Sequence, residues 1–160
     1  MEEERALFHK RRVRFLPIGR LQQLPPAIHA LVSEVAEETR QYQDRTLAVA
    51  LSYGGRAEII DAIRHIAVEV EMGSVSPERI DESLVESYLN TYGIPDPDLL
   101  IRTSGESRIS NFLLWQIAYT ELYFTKTLWP DFRRSETLQA LLDYQRRERR
   151  FGRVGHTVSR

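Results

Sequence analysis

Apolar residues recur along this chain in two patterns, and each pattern predicts one kind of secondary structure. Short apolar runs bounded by turn-forming residues are typical of buried strands. Strands are therefore predicted at residues 13–18, 47–51, 99–101 and 121–124. Longer segments, most with apolar residues three and four positions apart, are typical of helices with one buried face. Helices are predicted over residues 2–12, 25–42, 57–71, 77–80, 81–92, 110–119 and 135–150.

The helical stripes also predict which side chains face a core. The members of three stripes are expected to point inward: Ile28, Leu31, Val32, Val35 and Ala36, then Ile59, Ile60, Ile63, Ile66, Ala67 and Val70, and finally Leu138, Leu141 and Leu142. Gly93 is expected to end the helix before the third strand, because glycine readily adopts the left-handed conformation that follows a helix. Ser135 is expected to cap the last helix.

The order of these elements predicts the fold class. Strands that alternate with helices of 10 to 15 residues favour an α/β fold, a mostly parallel sheet covered by helices. With 160 residues, of which 42% are hydrophobic, the chain is long enough for a single domain with its own core.

Composition narrows the possible functions and the compartment. The 22 basic and 23 acidic side chains nearly cancel, which gives no support to a nucleic-acid role. The absence of cysteine excludes disulfides and fits a reducing compartment. No apolar run is long enough for a membrane span or a signal peptide. We therefore expect a cytoplasmic protein with at most peripheral membrane contact.

The loop after the third predicted strand carries the strongest chemical signal. Two cations, Arg102 and Arg108, flank Gly105, and hydroxyl side chains lie among them at Thr103, Ser104, Ser107 and Ser110. Guanidinium groups bind phosphate oxygens in a planar fork, and ligands bind at the carboxyl ends of strands in open α/β sheets. The pattern indicates a phosphate or diphosphate site. The alternative is that both arginines are ordinary surface cations.

Two acids accompany this loop. Glu121 stands in an otherwise apolar and aromatic setting. Beside a diphosphate it would suit Mg²⁺, which often takes one or two carboxylates together with phosphate oxygens. The alternative is an edge-strand acid that faces water. Glu106, between the arginines, is expected to form an ion pair that orients one of them.

Several segments together resemble one known family. They are RTSGESRISNFLLWQIAYTELYF at residues 102–124, LWPDF at 128–132, SYGGR at 52–56 and ERRFG at 148–152. These segments are similar to the motifs of the cis-prenyltransferases, the undecaprenyl and other polyprenyl diphosphate synthases. The resemblance covers nearly the whole chain, and it implies a six-stranded, mostly parallel sheet to which this chain supplies four strands.

The resemblance implies roles for particular residues. Isopentenyl diphosphate would be held by Arg102, Arg108, Ile109 and Ser110, and Mg²⁺ by Glu121. Arg150 and Gly152, in an Arg-x-Gly motif that leads into a tail at 151–160, would reach the diphosphate site of a neighbouring subunit. The implied assembly is a homodimer, or a heterodimer with a related chain. The second substrate would be an allylic prenyl diphosphate, and the product a Z-polyprenyl diphosphate.

One family motif does not occur in this sequence. Family members begin with a loop of the type Asp-Gly-Asn-x-Arg, whose aspartate assists the metal and the departing diphosphate, and no Asp-Gly-Asn is present. We therefore expect the 160 residues to correspond to the C-terminal portion of the family fold, a partial domain without transferase activity on its own. The alternative function is that of a non-catalytic partner subunit in a heteromeric enzyme.

Overall fold

The computed structural model of the chain describes residues 2–147. Two compact units divide the chain, the N-terminal unit Met1–Ile94 and the C-terminal unit Pro95–Arg160. Among residues 2–147, each unit contains one pair of parallel strands, accompanied by four α-helices in the first unit and one in the second. The predicted α/β class with parallel strands is therefore confirmed.

The four predicted strands are all present, with small shifts at their ends. The N-terminal unit contains α1 Glu2–Arg11, β1 Val13–Ile18, α2 Pro26–Thr39, β2 Arg45–Ala50, α3 Gly55–Glu71 and α4 Glu82–Ser87. The C-terminal unit contains β3 Leu99–Arg102, β4 Glu121–Phe124 and α5 Arg134–Gln145. Short 3₁₀ turns lie at Leu21–Gln23, Pro77–Arg79 and Trp129–Asp131. The second of these turns replaces the helix predicted over residues 77–80.

Helix α2 is fixed to β1 by apolar packing and by one buried hydroxyl. Val32 and Val35 are buried on the face of the predicted stripe. Thr39, which is fully buried, donates from Oγ1 to the Val35 carbonyl (2.8 Å) and accepts from the Phe15 amide (3.0 Å). A single side chain thus satisfies a helix carbonyl and a strand amide at once.

Helix α1 is held against α2 by charge. Arg5 donates to Glu34 (2.8 Å) and to both carboxylate oxygens of Glu38. The Arg5 hydrogen bond is the main reason why the pKa of Glu38 is lowered from its ordinary value.

A glycine allows the loops after β1 and β2 to approach each other closely. Gly19 has φ +111°, and a Cβ atom at this position would lie 2.2 Å from the Leu51 carbonyl oxygen. Backbone hydrogen bonds join the two loops, from Leu51 to Ile18 (2.9 Å) and from Arg20 to Ser52 (3.3 Å). No other residue type fits position 19 without displacing the backbone.

A buried acid ends α4 earlier than predicted. Glu58, only 5% exposed, accepts hydrogen bonds from the Tyr53 hydroxyl (2.6 Å) and from the Asn90 amide and side chain (both 2.9 Å). Because the Asn90 amide is used in this way, it is not available to a helix carbonyl. The helix predicted over 81–92 is therefore confirmed at Glu82–Ser87, and its extension to residue 92 was wrong.

The helix predicted over residues 110–119 is absent from the part of the chain that the structure describes. This segment forms successive turns. Ser110, Asn111 and Leu113 have φ values of 55°, 62° and 47°, which lie in the left-handed region and interrupt a right-handed helix. The apolar spacing of this segment therefore gave a wrong prediction.

Two predicted helix faces are more exposed than expected. In α5 the residue that is buried is Ala140, whereas Leu138, Leu141 and Leu142 are exposed. In α3 the stripe is split, because Ile66 is buried but Ile60 and Ile63 are exposed. Ser135 is the second residue of α5 instead of its cap, and the Glu136 carboxylate accepts from the Arg133 amide (2.9 Å). Within residues 2–147, no helix combines the length and apolar character that crossing a membrane requires.

Candidate functional site

The loop after β3 is fixed by backbone hydrogen bonds to the segment after β4. The Ser104 amide donates to the Thr127 carbonyl (2.9 Å), and the Gly105 amide donates to the Thr125 carbonyl (2.8 Å). In the other direction, the Thr125 amide donates to the Arg102 carbonyl (2.9 Å). The backbone around Arg102 is thus held from both sides.

Side-chain hydroxyls reinforce the segment to which the loop is tied. Thr125 Oγ1 lies 3.1 Å from Thr127 Oγ1 and accepts from the Thr127 amide (3.2 Å). Ser104 and Gly105 both have positive φ, 67° and 69°. Ser104 bears a Cβ, and its left-handed conformation is maintained by the hydrogen bonds that the Ser104 and Gly105 amides donate. The turn that begins the loop is therefore well determined.

The two arginines of this loop have different surroundings. Arg102, the last residue of β3, is half-buried, and no carboxylate within residues 2–147 pairs with its guanidinium. Arg108 is 68% exposed and forms an ion pair with Glu106, which confirms the predicted role of Glu106. Ile109 is half-buried and Ser110 is exposed, and both follow directly on the same loop. Arg102 is thus a cation that is positioned but not neutralised.

The predicted metal ligand is part of an ion-pair network. Glu121 opens β4, is 28% exposed, and accepts at Oε2 from Arg147 Nη1 (2.9 Å). Arg147 also donates to Asp143 Oδ2 from Nη2 (2.6 Å) and Nε (3.0 Å), and to the Leu122 carbonyl (2.9 Å). The hydrogen bond to Glu121, followed by that to Asp143, raises the pKa of the Arg147 guanidinium.

The donor set around Glu121 fits a hard cation, although only as part of a larger site. Two carboxylates, Glu121 and Asp143, already face one positive group. No cluster of three or more potential ligands (His, Cys, Asp or Glu) occurs among the described residues. Carboxylate oxygens are suitable ligands for Mg²⁺, which usually keeps several waters, so water or a bound phosphate would supply the remaining oxygens.

The strand pair of the N-terminal unit also ends at a cavity, of about 220 Å³. Partners within the unit engage its charged side chains. Arg20 binds both carboxylate oxygens of Asp61, at 2.9 and 3.1 Å, and Glu58 accepts hydrogen bonds from Tyr53 and Asn90. This cavity offers an incoming anion far less uncompensated positive charge than the loop at Arg102 does.

Comparison with known proteins decides the family. A family model described as putative undecaprenyl diphosphate synthase matches residues 1–152. The chain belongs to this family, the cis-prenyltransferases. A tritrans,polycis-undecaprenyl-diphosphate synthase (geranylgeranyl-diphosphate specific) of Methanopyrus kandleri is 49% identical over 152 residues, which is 95% of this chain and 55% of that protein. An isoprenyl transferase of Chlorobaculum tepidum is 49% identical over 146 residues, 91% of this chain and 55% of that protein.

Solved structures of cis-prenyltransferases agree with the fold. A lavandulyl diphosphate synthase from Lavandula x intermedia, in complex with dimethylallyl diphosphate, matches with a TM-score of 0.89 and 40% identity, over 92% of this chain and 64% of that one. A probable undecaprenyl diphosphate synthase from Campylobacter jejuni matches with a TM-score of 0.81 and 32% identity, over 94% and 68%. The chain spans about half the length of the curated relatives that it matches.

Two of the predicted site residues lie outside the part of the chain that the structure describes, and further residues contact the predicted ones. Arg150 and Gly152 lie outside the described residues, so their predicted role stays a prediction. Sequence reasoning missed Thr125 and Thr127, which fix the loop, and Asp143 and Arg147, which engage Glu121. The spacing of the last two, four positions apart on or next to one helix, is typical of a paired acid and base and could have drawn attention to them.

Proposed function

We propose that the loop after β3 binds the diphosphate of isopentenyl diphosphate in the condensation that extends a prenyl chain. The observation that carries this proposal is Arg102, a half-buried guanidinium at the end of a strand that no carboxylate within residues 2–147 neutralises. Half-buried positive charge attracts a phosphate more strongly than a fully solvated cation does. Family membership supports the choice of a prenyl diphosphate as ligand.

The residues would act by holding the homoallylic substrate in place. Arg102 would donate to the diphosphate from a backbone already fixed by Thr125, so little conformational freedom is lost on binding. Arg108 would give up part of its ion pair with Glu106 and bind the diphosphate, together with Ile109 and Ser110. Glu121 would contribute to Mg²⁺, which when bound would neutralise the diphosphate that leaves the allylic substrate.

We further infer that the 160-residue polypeptide binds isopentenyl diphosphate but does not transfer a prenyl group unaided. Stabilisation of a departing anionic group is commonly the largest catalytic term. The family's Asp-Gly-Asn loop, which serves that purpose, does not occur in these residues. The expected result is weak binding without elongation when the purified chain is supplied with radiolabelled isopentenyl diphosphate, an allylic diphosphate and Mg²⁺. Addition of a polypeptide that carries this loop should restore turnover.

Calorimetric titration with isopentenyl diphosphate tests the binding proposal. Arg102→Ala should weaken binding by about 1.5–3 kcal/mol, roughly 10- to 100-fold. Arg134→Ala is the matched control, because Arg134 is an exposed arginine of the same unit at the start of α5. Equal affinities of the wild type and Arg102→Ala would refute the assignment. A wild type that binds no diphosphate at all would favour the alternative of a non-catalytic partner subunit.

We also infer that the chain associates with a second copy or a related chain. The support is the apolar surface that α5 leaves exposed at Leu138, Leu141 and Leu142, since contiguous apolar patches commonly mark interfaces. Light scattering at micromolar concentration should give a mass above the 18.7 kDa of one chain. A mass equal to that of one chain would contradict this inference.

A further inference from the structure

The Glu121 carboxylate already has a cation beside it, supplied by the chain itself. Arg147 reaches Glu121 Oε2 at 2.9 Å and holds Asp143 Oδ2 at 2.6 Å. Among the described residues, no donor is bonded to the other Glu121 oxygen, Oε1. One guanidinium therefore lies between two carboxylates, and the group of three carries one net negative charge.

The position of Arg147 allows it to leave without disrupting an element. It lies two residues beyond Gln145, where α5 ends, and its backbone amide bonds to the Tyr144 carbonyl independently of its side chain. The Arg147 and Glu121 side chains are 30% and 28% exposed. Water thus reaches both partners, and an ion pair in such a setting is weak enough to be exchanged.

We propose that Arg147 competes with a divalent cation for Glu121: a metal ion that takes Oε2 must displace the guanidinium, and one held at Oε1 is weakened by its charge. The proposal rests on the proposed function, because it concerns the same carboxylate. A hard cation such as Mg²⁺ binds through carboxylate oxygens, and a guanidinium at hydrogen-bond distance opposes it by both charge and position. The coupling is reciprocal: a bound metal ion weakens the contact between Arg147 and Glu121, and that contact lowers the affinity of Glu121 for the metal ion.

Titration of the full chain with Mn²⁺, detected by electron paramagnetic resonance without any diphosphate, tests the proposal directly. Arg147→Gln should bind Mn²⁺ about 3- to 10-fold more tightly than the wild type, because the competing charge is removed. The gain should disappear in the double variant Arg147→Gln with Glu121→Gln. Arg146→Gln is the matched control, since it removes the same charge one position earlier, from an exposed side chain, and should leave the affinity near that of the wild type.

Each result decides the proposal. An unchanged or lower Mn²⁺ affinity of Arg147→Gln would overturn it, as would an equal gain in Arg146→Gln or a gain that persists without Glu121. If Arg147→Gln does not fold, Arg147→Met decides instead. Methionine is an unbranched side chain without the charge, so an affinity above wild type supports the proposal and one at or below wild type overturns it. Because no diphosphate is present, failure of isopentenyl diphosphate to bind would refute the proposed function and leave this comparison intact.

Discussion

The carboxyl ends of the two parallel strand pairs differ in how their charges are satisfied. After β1 and β2, Arg20 is neutralised by Asp61, and the buried Glu58 accepts three hydrogen bonds. After β3, the backbone is held equally firmly by Ser104 and Gly105, but Arg102 is left without an acidic partner in the described part of the chain. Both loops are held by backbone hydrogen bonds, but within residues 2–147 Arg20 has an acidic partner and Arg102 has none.

On the proposed function, similar local architecture serves stability in one place and binding in another. A cation that pairs with an acid of the same protein interacts within the fold, whereas a cation held in place without such a partner is available to an anionic ligand. Substitutions near β1 and β2 should therefore change the free energy of unfolding. Substitutions near β3 should change ligand affinity.

The largest expected effect comes from Gly19→Ala in the N-terminal unit. A methyl group at this position would meet the Leu51 carbonyl at 2.2 Å with φ at +111°, so the closure between the two loops should be lost. We expect a decrease of about 2–4 kcal/mol in the free energy of unfolding, measured by urea denaturation.

Gly73→Ala is the control for this substitution. Gly73 also has positive φ (+73°) but has open space around its Cβ position. Its replacement should cost only the conformational strain, about 1 kcal/mol. Equal losses at the two glycines would show that the close approach of the loops contributes nothing.

Glu58→Gln should have the next largest effect. The amide group preserves the size of the side chain but replaces one carboxylate oxygen, an acceptor for Tyr53 or Asn90, with an NH₂ donor. The substitution should therefore cost about 1–3 kcal/mol of stability. The affinity for isopentenyl diphosphate, measured by calorimetry, should be unchanged. If that affinity falls while stability is retained, the two regions do not differ in the way described.

Thr125→Val should weaken binding without a comparable loss of stability. It removes the hydroxyl that accepts from the Thr127 amide, and this loosens the segment to which the Arg102 loop is tied. We expect a loss of about 1 kcal/mol in diphosphate affinity, roughly fivefold. Thr125→Ser retains the hydroxyl and should restore most of the affinity, whereas failure of serine to do so would exclude this role of the hydrogen bond.

Local patterns in the sequence were sufficient for the strands and for the position of the arginines. The apolar runs at residues 13–18 and 99–101 correspond to β1 and β3, and the glycine-containing loop after β3 carries Arg102 as expected. These features depend on neighbours in the sequence, which a pattern records directly.

Features that depend on distant partners were not predictable in the same way. Helix α4 is shortened because Asn90 bonds to Glu58, 32 residues away, and Glu121 meets Arg147 across 26 residues. The segment 110–119 has helical spacing but left-handed residues at Ser110 and Asn111. Apolar periodicity contains no information about either kind of constraint.

The smallest expected effect concerns the surface ion pair of α1 and α2. The hydrogen bond from Arg5 lowers the pKa of Glu38 below its ordinary value of 4.5. The stabilisation is therefore present above that value and is lost as the pH falls through the lowered pKa of the folded state. The stability difference between the wild type and Glu38→Gln should shrink as the pH falls below about 4.5. Thermal unfolding at several pH values would measure it, and a difference that grows as the pH falls below that value would contradict the assignment.

The central claim is that Arg20, in the loop after β1, and Arg102, at the end of β3, differ in function, and one paired measurement tests it. Isopentenyl diphosphate affinity and the free energy of unfolding are determined on the same samples of Arg102→Ala and Arg20→Ala. Arg102→Ala should lose roughly 10- to 100-fold in affinity with stability within about 0.5 kcal/mol of the wild type. Arg20→Ala should keep its affinity within about twofold and lose up to about 1 kcal/mol of stability. Equal losses of affinity in the two variants, or none at Arg102, would contradict the claim.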